Sequence, residues 1–82
     1  MDKHLMLKRF GDCVRTTRLA ASLTQEELAH RSGLDRSYIG GVERGERNPS
    51  LLAVGRIAEG LGVCLTTLFD PRAAATQSRK AE

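Results

Sequence analysis

A short helix that ends in a tight turn is the feature that most constrains the fold of this chain. Thr24 and Glu27 have the spacing of a capping box, in which the threonine hydroxyl accepts a hydrogen bond from the Glu27 amide and the glutamate carboxylate reaches back. The spacing predicts a helix that begins at Gln25. This helix ends near Ser32, because Gly33 can adopt the left-handed conformation that terminates helices.

A further helix, the third along the chain, is predicted directly after this turn. Asp35 is a favourable N-cap for a helix over Arg36–Arg44, in which Ile39 and Val42 form the buried stripe. Two helices joined by a glycine-containing turn of about three or four residues form a unit that places one helix across the phosphate backbone of DNA and the next in the major groove. Helix pairs with short turns are common, so this topology alone is weak support for DNA binding.

Three further helices follow from the apolar periodicity of the remaining sequence. They span Leu5–Ala21, the segment between Ser50 and Gly62, and Leu65–Phe69. Residues 72–82 have no apolar stripe and are predicted to form a disordered tail. The sequence therefore predicts an all-α, compact five-helix domain over residues 1–71.

Composition narrows the class of function. The 82 residues carry a formal net charge of +3, a mild basic excess that suits a polyanionic partner without proving one. No apolar run of membrane-spanning length and no secretory leader occurs, so we expect a cytoplasmic protein that contacts no membrane. From the length of 82 residues we expect a single domain and no second domain that would bind a small-molecule effector.

Enzymatic and metal-binding functions find no support in the sequence. There is no Ser/His/Asp set, no pair of cleft carboxylates and no phosphate-cradling glycine loop, so we expect no enzyme and no cofactor. Cys13 and Cys64 are far apart and are accompanied only by His4 and His30 as nitrogen donors, so we expect no metal site. Both thiols are predicted to be reduced and to act as small apolar residues.

Five short segments between Leu23 and Leu51 stand in fixed register, namely Leu23-Thr24-Gln25-Glu26-Glu27-Leu28-Ala29, Ser32-Gly33-Leu34, Tyr38-Ile39, Val42-Glu43-Arg44-Gly45 and Asn48-Pro49-Ser50-Leu51. With these residues the stretch resembles the lambda-repressor-like helix-turn-helix family, which is found in phage repressors and Cro proteins. Within that family the segments 34–39 and 43–48 look most like the controller proteins of restriction-modification systems. The resemblance implies a lambda-repressor-like domain whose helix-turn-helix consists of helices 2 and 3.

Candidate DNA-binding residues follow from this arrangement. Arg36 begins the helix that enters the groove and is the candidate for a bidentate contact with guanine, with the other candidate base contacts being Ser37, Gly41 and Arg47. The candidate phosphate contacts are Gln25, Tyr38, Arg44 and Asn48. The alternatives are a capping role for Gln25, a core position for Tyr38 and solvated side chains for the remainder. Close approach to DNA is one reason for the glycine pair Gly40-Gly41 inside a helix, although a serine is usual at position 40 in the controllers.

The resemblance also implies an ion pair between Arg18 and Glu43 that orients the third helix, the one predicted to enter the major groove. A contact between Arg18 and a phosphate is left open. Thr17 stands where relatives usually carry an apolar side chain, so the packing around helix one is expected to be looser.

Operators of such folds are usually inverted repeats whose half-sites lie about 34 Å apart and are read by two-fold dimers. We therefore expect double-stranded DNA as the partner of a homodimer, with one or two dimers on each operator. The predicted dimer surface consists of Leu51, Leu65, Leu68 and Phe69, unless these residues only close the core of the monomer.

The resemblance implies a transcription regulator that binds operators upstream of its own gene and the endonuclease gene, with activation at low dose and autorepression at high dose. Activation would need contact with RNA polymerase, for which Glu46 and Asp35 are the candidates. The alternatives are a phage-type or antitoxin-type repressor and, from another class, a protein-interaction module without DNA binding.

Overall fold

The structure is a computed structural model and describes residues 2–70. Within this range it contains four α-helices and one 3-10 helix, and no strand. The helices are α1 (Lys3–Ala20), α2 (Gln25–Ser32), α3 (Arg36–Glu43), α4 (Leu51–Leu61) and the C-terminal 3-10 helix (Leu65–Phe69). The last predicted helix is thus a 3-10 helix rather than an α-helix. The predicted tail of residues 72–82 lies outside the described residues.

Local capping signals set the ends of α2. The Glu27 amide donates to the Thr24 hydroxyl at 3.0 Å and the Thr24 amide donates to the Glu27 carboxylate at 2.8 Å, which is the reciprocal pattern of a capping box. Gly33 terminates the helix in the left-handed region with φ 71°. Asp35 is the N-cap residue of α3, but its side chain accepts no capping hydrogen bond.

The core is built from one face of every helix. α2 packs against α4, while α1 packs against α3 and the C-terminal 3-10 helix. The largest fully buried side chains are Val14, Leu28, Ile39, Val42, Ile57 and Leu68. For Leu68 the structure agrees with the alternative to a dimer surface, a position in the core of the monomer, because this side chain is 0% exposed.

Two glycines allow helices to approach closely. A Cβ on Gly11 of α1 would collide with the backbone carbonyl oxygens of Val42 and Glu43, so α1 rests directly on the end of α3. A Cβ on Gly60 of α4 would lie 3.2 Å from the side chain of Leu28, on α2. Both contacts fix the position of the α2–α3 pair relative to the other helices.

The two cysteines are free and differ in environment. Cys13 is buried, and burial raises the pKa of its thiol with smaller contributions from Asp12 and Asp70. Cys64 is exposed, so the expectation that both thiols behave as buried apolar residues holds only for Cys13. Between residues 2 and 70 no helix has the length and hydropathy to span a membrane, and no cluster of His, Cys, Asp and Glu could hold a metal ion.

Candidate nucleic-acid interface

The first turn of α3 presents polar side chains to solvent. Ile39 and Val42 are almost completely buried, which fixes the inner face of this helix. Arg36 and Ser37 lie outside that face and are both exposed. The structure thus leaves the side chains of the predicted base-contacting end of α3 accessible.

The loop after α3 extends the same basic surface. Arg44, the C-cap of α3, is exposed, as are Arg47 and Asn48. Gly45 has φ 77°, and a Cβ at this position would lie 3.0 Å from the Cα of Lys8 on α1. The loop is therefore held against α1 by its backbone, while the side chains around it remain exposed.

Arg44 pairs with Glu46 at 3.1 Å, but both side chains are about 60% exposed. An exposed pair of this kind contributes little to stability and is easily exchanged for another anion. Arg44 therefore remains available to a phosphate group.

Arg47 lies across α3 and covers two of the other candidate residues. Its guanidinium carbon is 5.7 Å from the centroid of the Tyr38 ring, in cation–π geometry. A Cβ on Gly41 would lie 2.8 Å from Cγ of Arg47, so only glycine leaves room for the arginine stem. Gly41 is buried beneath this side chain, and a base can approach its backbone only after Arg47 moves.

Tyr38 is half-buried and packs against the hydrophobic core, so it is neither a free surface residue nor a fully enclosed one. Gly40 differs from Gly41, because a Cβ there would lie 3.1 Å from Nη1 at the far end of the exposed Arg44 side chain, which can move aside. Packing in the monomer therefore accounts for Gly41 but not for Gly40.

A buried polar network connects α1, α2 and α3. Arg18 Nε donates to Glu43 Oε2 at 2.7 Å and Nη2 donates to Oε1 at 3.0 Å, a bidentate pair whose side chains are 9% and 3% exposed. Nη1 of Arg18 donates to the carbonyl oxygen of Leu23 at 2.9 Å. The hydrogen bonds to Glu43 raise the pKa of Arg18, against the effect of burial, so this guanidinium stays charged.

Gln25 completes the network, a role that the sequence did not reveal. Its Nε2 donates to Glu43 Oε1 at 3.0 Å and thereby ties the first residue of α2 to the last residue of α3. The same nitrogen carries a second hydrogen, which remains compatible with a phosphate contact. Arg18, in contrast, is buried with its nitrogens directed to Glu43 and Leu23, so a phosphate contact from Arg18 would require it to leave the core.

A second exposed surface lies on α4. Leu51, Leu52 and Leu65 are exposed and line a shallow groove with Val63. Leu52 was missed by the sequence analysis, although helical periodicity places it opposite the buried stripe of Val54 and Ile57 and so indicates an exposed side chain. Phe69 lies elsewhere, with its ring centroid 5.6 Å from that of Phe10 on α1. The residues predicted for one dimer surface are thus found in three environments, namely the α4 groove, the core and the α1 side.

The sequence is similar to known helix-turn-helix proteins. The sequence matches the family described as Helix-turn-helix over residues 14–68. Control protein C.BamHI of Bacillus amyloliquefaciens is 45% identical over 62 residues, which cover 74% of this chain and 76% of that protein. Control protein C.MunI of Mycoplasma sp is 40% identical over 62 residues, covering 74% and 84% of the two chains.

A solved structure agrees with these sequence matches. The crystal structure of the restriction-modification controller protein C.AhdI from Aeromonas hydrophila superimposes with a TM-score of 0.76 at 51% identity. The match covers 77% of this chain and 96% of that chain. The similarity therefore extends over nearly the whole of the solved protein.

Proposed function

The chain belongs to the helix-turn-helix family of DNA-binding transcription regulators, and we propose that it is the controller of a restriction-modification system. It binds operators upstream of its own gene and of the endonuclease gene, activating at low dose and repressing itself at high dose. The controllers C.BamHI, C.MunI and C.AhdI support this assignment by similarity over most of their lengths.

The observation that carries DNA binding is a rigidly held helix with an exposed basic end. In this proposal α2 and α3 form the helix-turn-helix, and α3 enters the major groove with Arg36 at its leading turn. Arg36 reads a guanine edge, and Ser37 and Arg47 contact neighbouring bases. Arg44, Asn48 and Gln25 contact phosphates and set the register of the helix on the duplex.

The proposal includes a homodimer on an inverted-repeat operator, because a single short helix reads too few bases for biological specificity. The exposed leucines of α4, Leu51 and Leu52, together with Leu65, supply an apolar surface for that dimer. One or two dimers occupy each operator. Activation proceeds through contact with RNA polymerase, for which Asp35 is the candidate, since it is exposed and its carboxylate is not used in capping.

The test is fluorescence-anisotropy binding to a duplex from immediately upstream of the gene's start codon and to a scrambled duplex, at two salt concentrations. The wild type is expected to prefer the upstream duplex. Arg36→Ala is expected to lose about 1–3 kcal/mol of that preference, which is the range for a bidentate base contact. The salt dependence, which reports phosphate contacts, is expected to remain unchanged.

Arg9→Ala is the matched control, since Arg9 is an exposed arginine on the side of α1 that faces the C-terminal 3-10 helix. It should leave the preference intact. An Arg36→Ala variant that discriminates as well as the wild type would refute the base-reading role. Absence of binding to either duplex at low salt would support a protein-interaction module instead.

A further inference from the structure

The first turn of α1 carries a cation that does not serve the helix. The N-terminus is the positive end of the helix dipole, so acidic side chains stabilise it and basic side chains destabilise it. This first turn contains no acidic residue and begins with Lys3 and His4, which follow the N-cap Asp2. Lys3 forms no ion pair among residues 2–70. The stability of α1 therefore does not explain the lysine at this position.

A cleft separates the first two turns of α1 from the loop that follows α3. The loop backbone packs closely on α1, because a Cβ on Gly45 would lie 3.0 Å from a Cα atom of this helix. One turn before this contact, the exposed residues Lys3 and His4 border the cleft. The opposite border consists of the loop residues Glu46 and Asn48. The basic first turn of α1 thus lies beside the loop.

This cleft is continuous with the candidate nucleic-acid interface. Asn48, which borders it, is one of the proposed phosphate contacts. Glu46, which also borders it, pairs with Arg44 at 3.1 Å. A Cβ on Gly40 would lie 3.1 Å from Nη1 of Arg44 and 3.6 Å from Oε1 of Gln25, so these two proposed phosphate contacts lie close together. The polar surface therefore runs without a break from Gln25, through Arg44, to the start of α1.

We propose that Lys3 and His4 bind a phosphate of the DNA backbone next to the one that Asn48 contacts. This inference rests on the proposed function and extends the DNA interface from α2 and α3 to α1. Phosphates recur about every 3.4 Å of the axis along each strand, so a continuous polar surface meets several of them. Lys3 supplies positive charge, and His4 supplies a ring N–H donor. Such contacts add affinity without sequence information.

The test measures the dissociation constant of the upstream duplex over a series of salt concentrations by fluorescence anisotropy. Lys3→Ala is expected to weaken binding about two- to fivefold at low salt and to reduce the slope of log affinity against log salt by about 0.9, the loss of one phosphate contact. His4→Ala is expected to weaken binding by a smaller factor. The preference for the upstream over the scrambled duplex is expected to persist in both variants, unlike in Arg36→Ala.

Two controls exclude effects on the fold and on overall charge. Alanine is a good helix former and removes a cation from the positive end of α1, so the melting temperature of Lys3→Ala should not fall. Arg9→Ala removes an exposed cation from the side of the same helix that faces the C-terminal 3-10 helix. It should leave the salt slope unchanged. A slope that changes no more in Lys3→Ala than in Arg9→Ala would overturn the proposal.

Glu46 provides a second way to overturn the proposal, because Lys3 could instead neutralise this carboxylate once Arg44 has moved to a phosphate. Lys3→Ala is therefore repeated in a Glu46→Gln background. A phosphate contact predicts the same loss of affinity and slope there, whereas a loss that disappears would assign Lys3 to Glu46. A wild type without preference for the upstream duplex would contradict the proposed function, while the slope comparison on either duplex would still test Lys3.

Discussion

Arginine serves two different purposes in two regions of this molecule. At the junction of α1 and α3, Arg18 is almost fully buried and donates to Glu43 and to the Leu23 carbonyl. On the outer side of α3, Arg36 and Arg47 are exposed. Burial and a fixed partner, rather than residue type, therefore decide whether an arginine stabilises the fold or remains free for a ligand.

This comparison predicts that substitutions in the two regions change different properties of the protein. Changes at the junction should act on the free energy of unfolding, because a buried charge that loses its partner is costly. Changes on the outer surface should act on DNA affinity and leave stability nearly unaltered.

The largest effect is expected for Glu43→Ala. The substitution leaves Arg18 buried without its bidentate partner and removes the acceptor of Gln25. We expect a loss of about 3–5 kcal/mol in the free energy of unfolding, measured by urea denaturation. A loss of that size approaches the whole stability of a small domain, so the variant should be partly unfolded at room temperature.

The double variant Arg18→Met, Glu43→Leu separates the charge from the packing. Apolar side chains of similar length remove both buried charges, so much of the lost stability should return. If the double variant is less stable than Glu43→Ala alone, the pair contributes net stability and the cost is not that of an orphaned charge.

Residue patterns predicted the local features of this fold, whereas at the junction of α1 and α3 the Arg18–Glu43 pair was expected only from the family resemblance. The capping box at Thr24 and the helix end at Gly33 depend on residues that are adjacent in the chain, and both form as expected. The hydrogen bond between Gln25 and Glu43 joins residues 18 positions apart, so no local sequence pattern predicts it. The need for Gly11 likewise depends on where the backbone of α3 lies in three dimensions.

The same limit applies to the candidate site. The exposure of Arg36 and Ser37 could be predicted because the apolar stripe of α3 defines which side faces out. Periodicity alone did not separate Leu68, which is buried, from Leu65, which is exposed, since both belong to one short apolar segment. The packing of the C-terminal 3-10 helix against α1 and α4 distinguishes them.

A smaller effect is expected next to Arg18, at Thr17. This side chain is also buried, but its hydroxyl has no hydrogen-bond partner among residues 2–70. Thr17→Val replaces the hydroxyl by a methyl group and should stabilise the fold by about 1 kcal/mol, as measured by the urea midpoint. Thr16→Val, at the exposed neighbouring position, should change stability by less than about 0.5 kcal/mol. Equal effects of the two variants would mean that the Thr17 hydroxyl carries no penalty.

The smallest effect is expected at Glu27, which contrasts with the buried Glu43 because it is exposed and still has a fixed partner. The backbone amide of Thr24 donates to this carboxylate and, with the threonine hydroxyl, lowers the pKa of Glu27 below its ordinary value of 4.5. A group whose pKa is lower in the folded state stabilises the fold at pH values above its unfolded pKa, and this contribution is lost as the pH falls through the folded pKa.

Glu27→Gln tests this contribution, because glutamine preserves the capping box without the charge. The wild type should be more stable than the variant at pH 7, and the difference in melting temperature should shrink as the pH falls from 7 into the acid range, through the lowered pKa of the wild-type carboxyl. Thermal unfolding of both proteins across this pH range measures the difference directly. A difference that stays constant with pH would show that the ionised form of Glu27 adds no stability to the capping box.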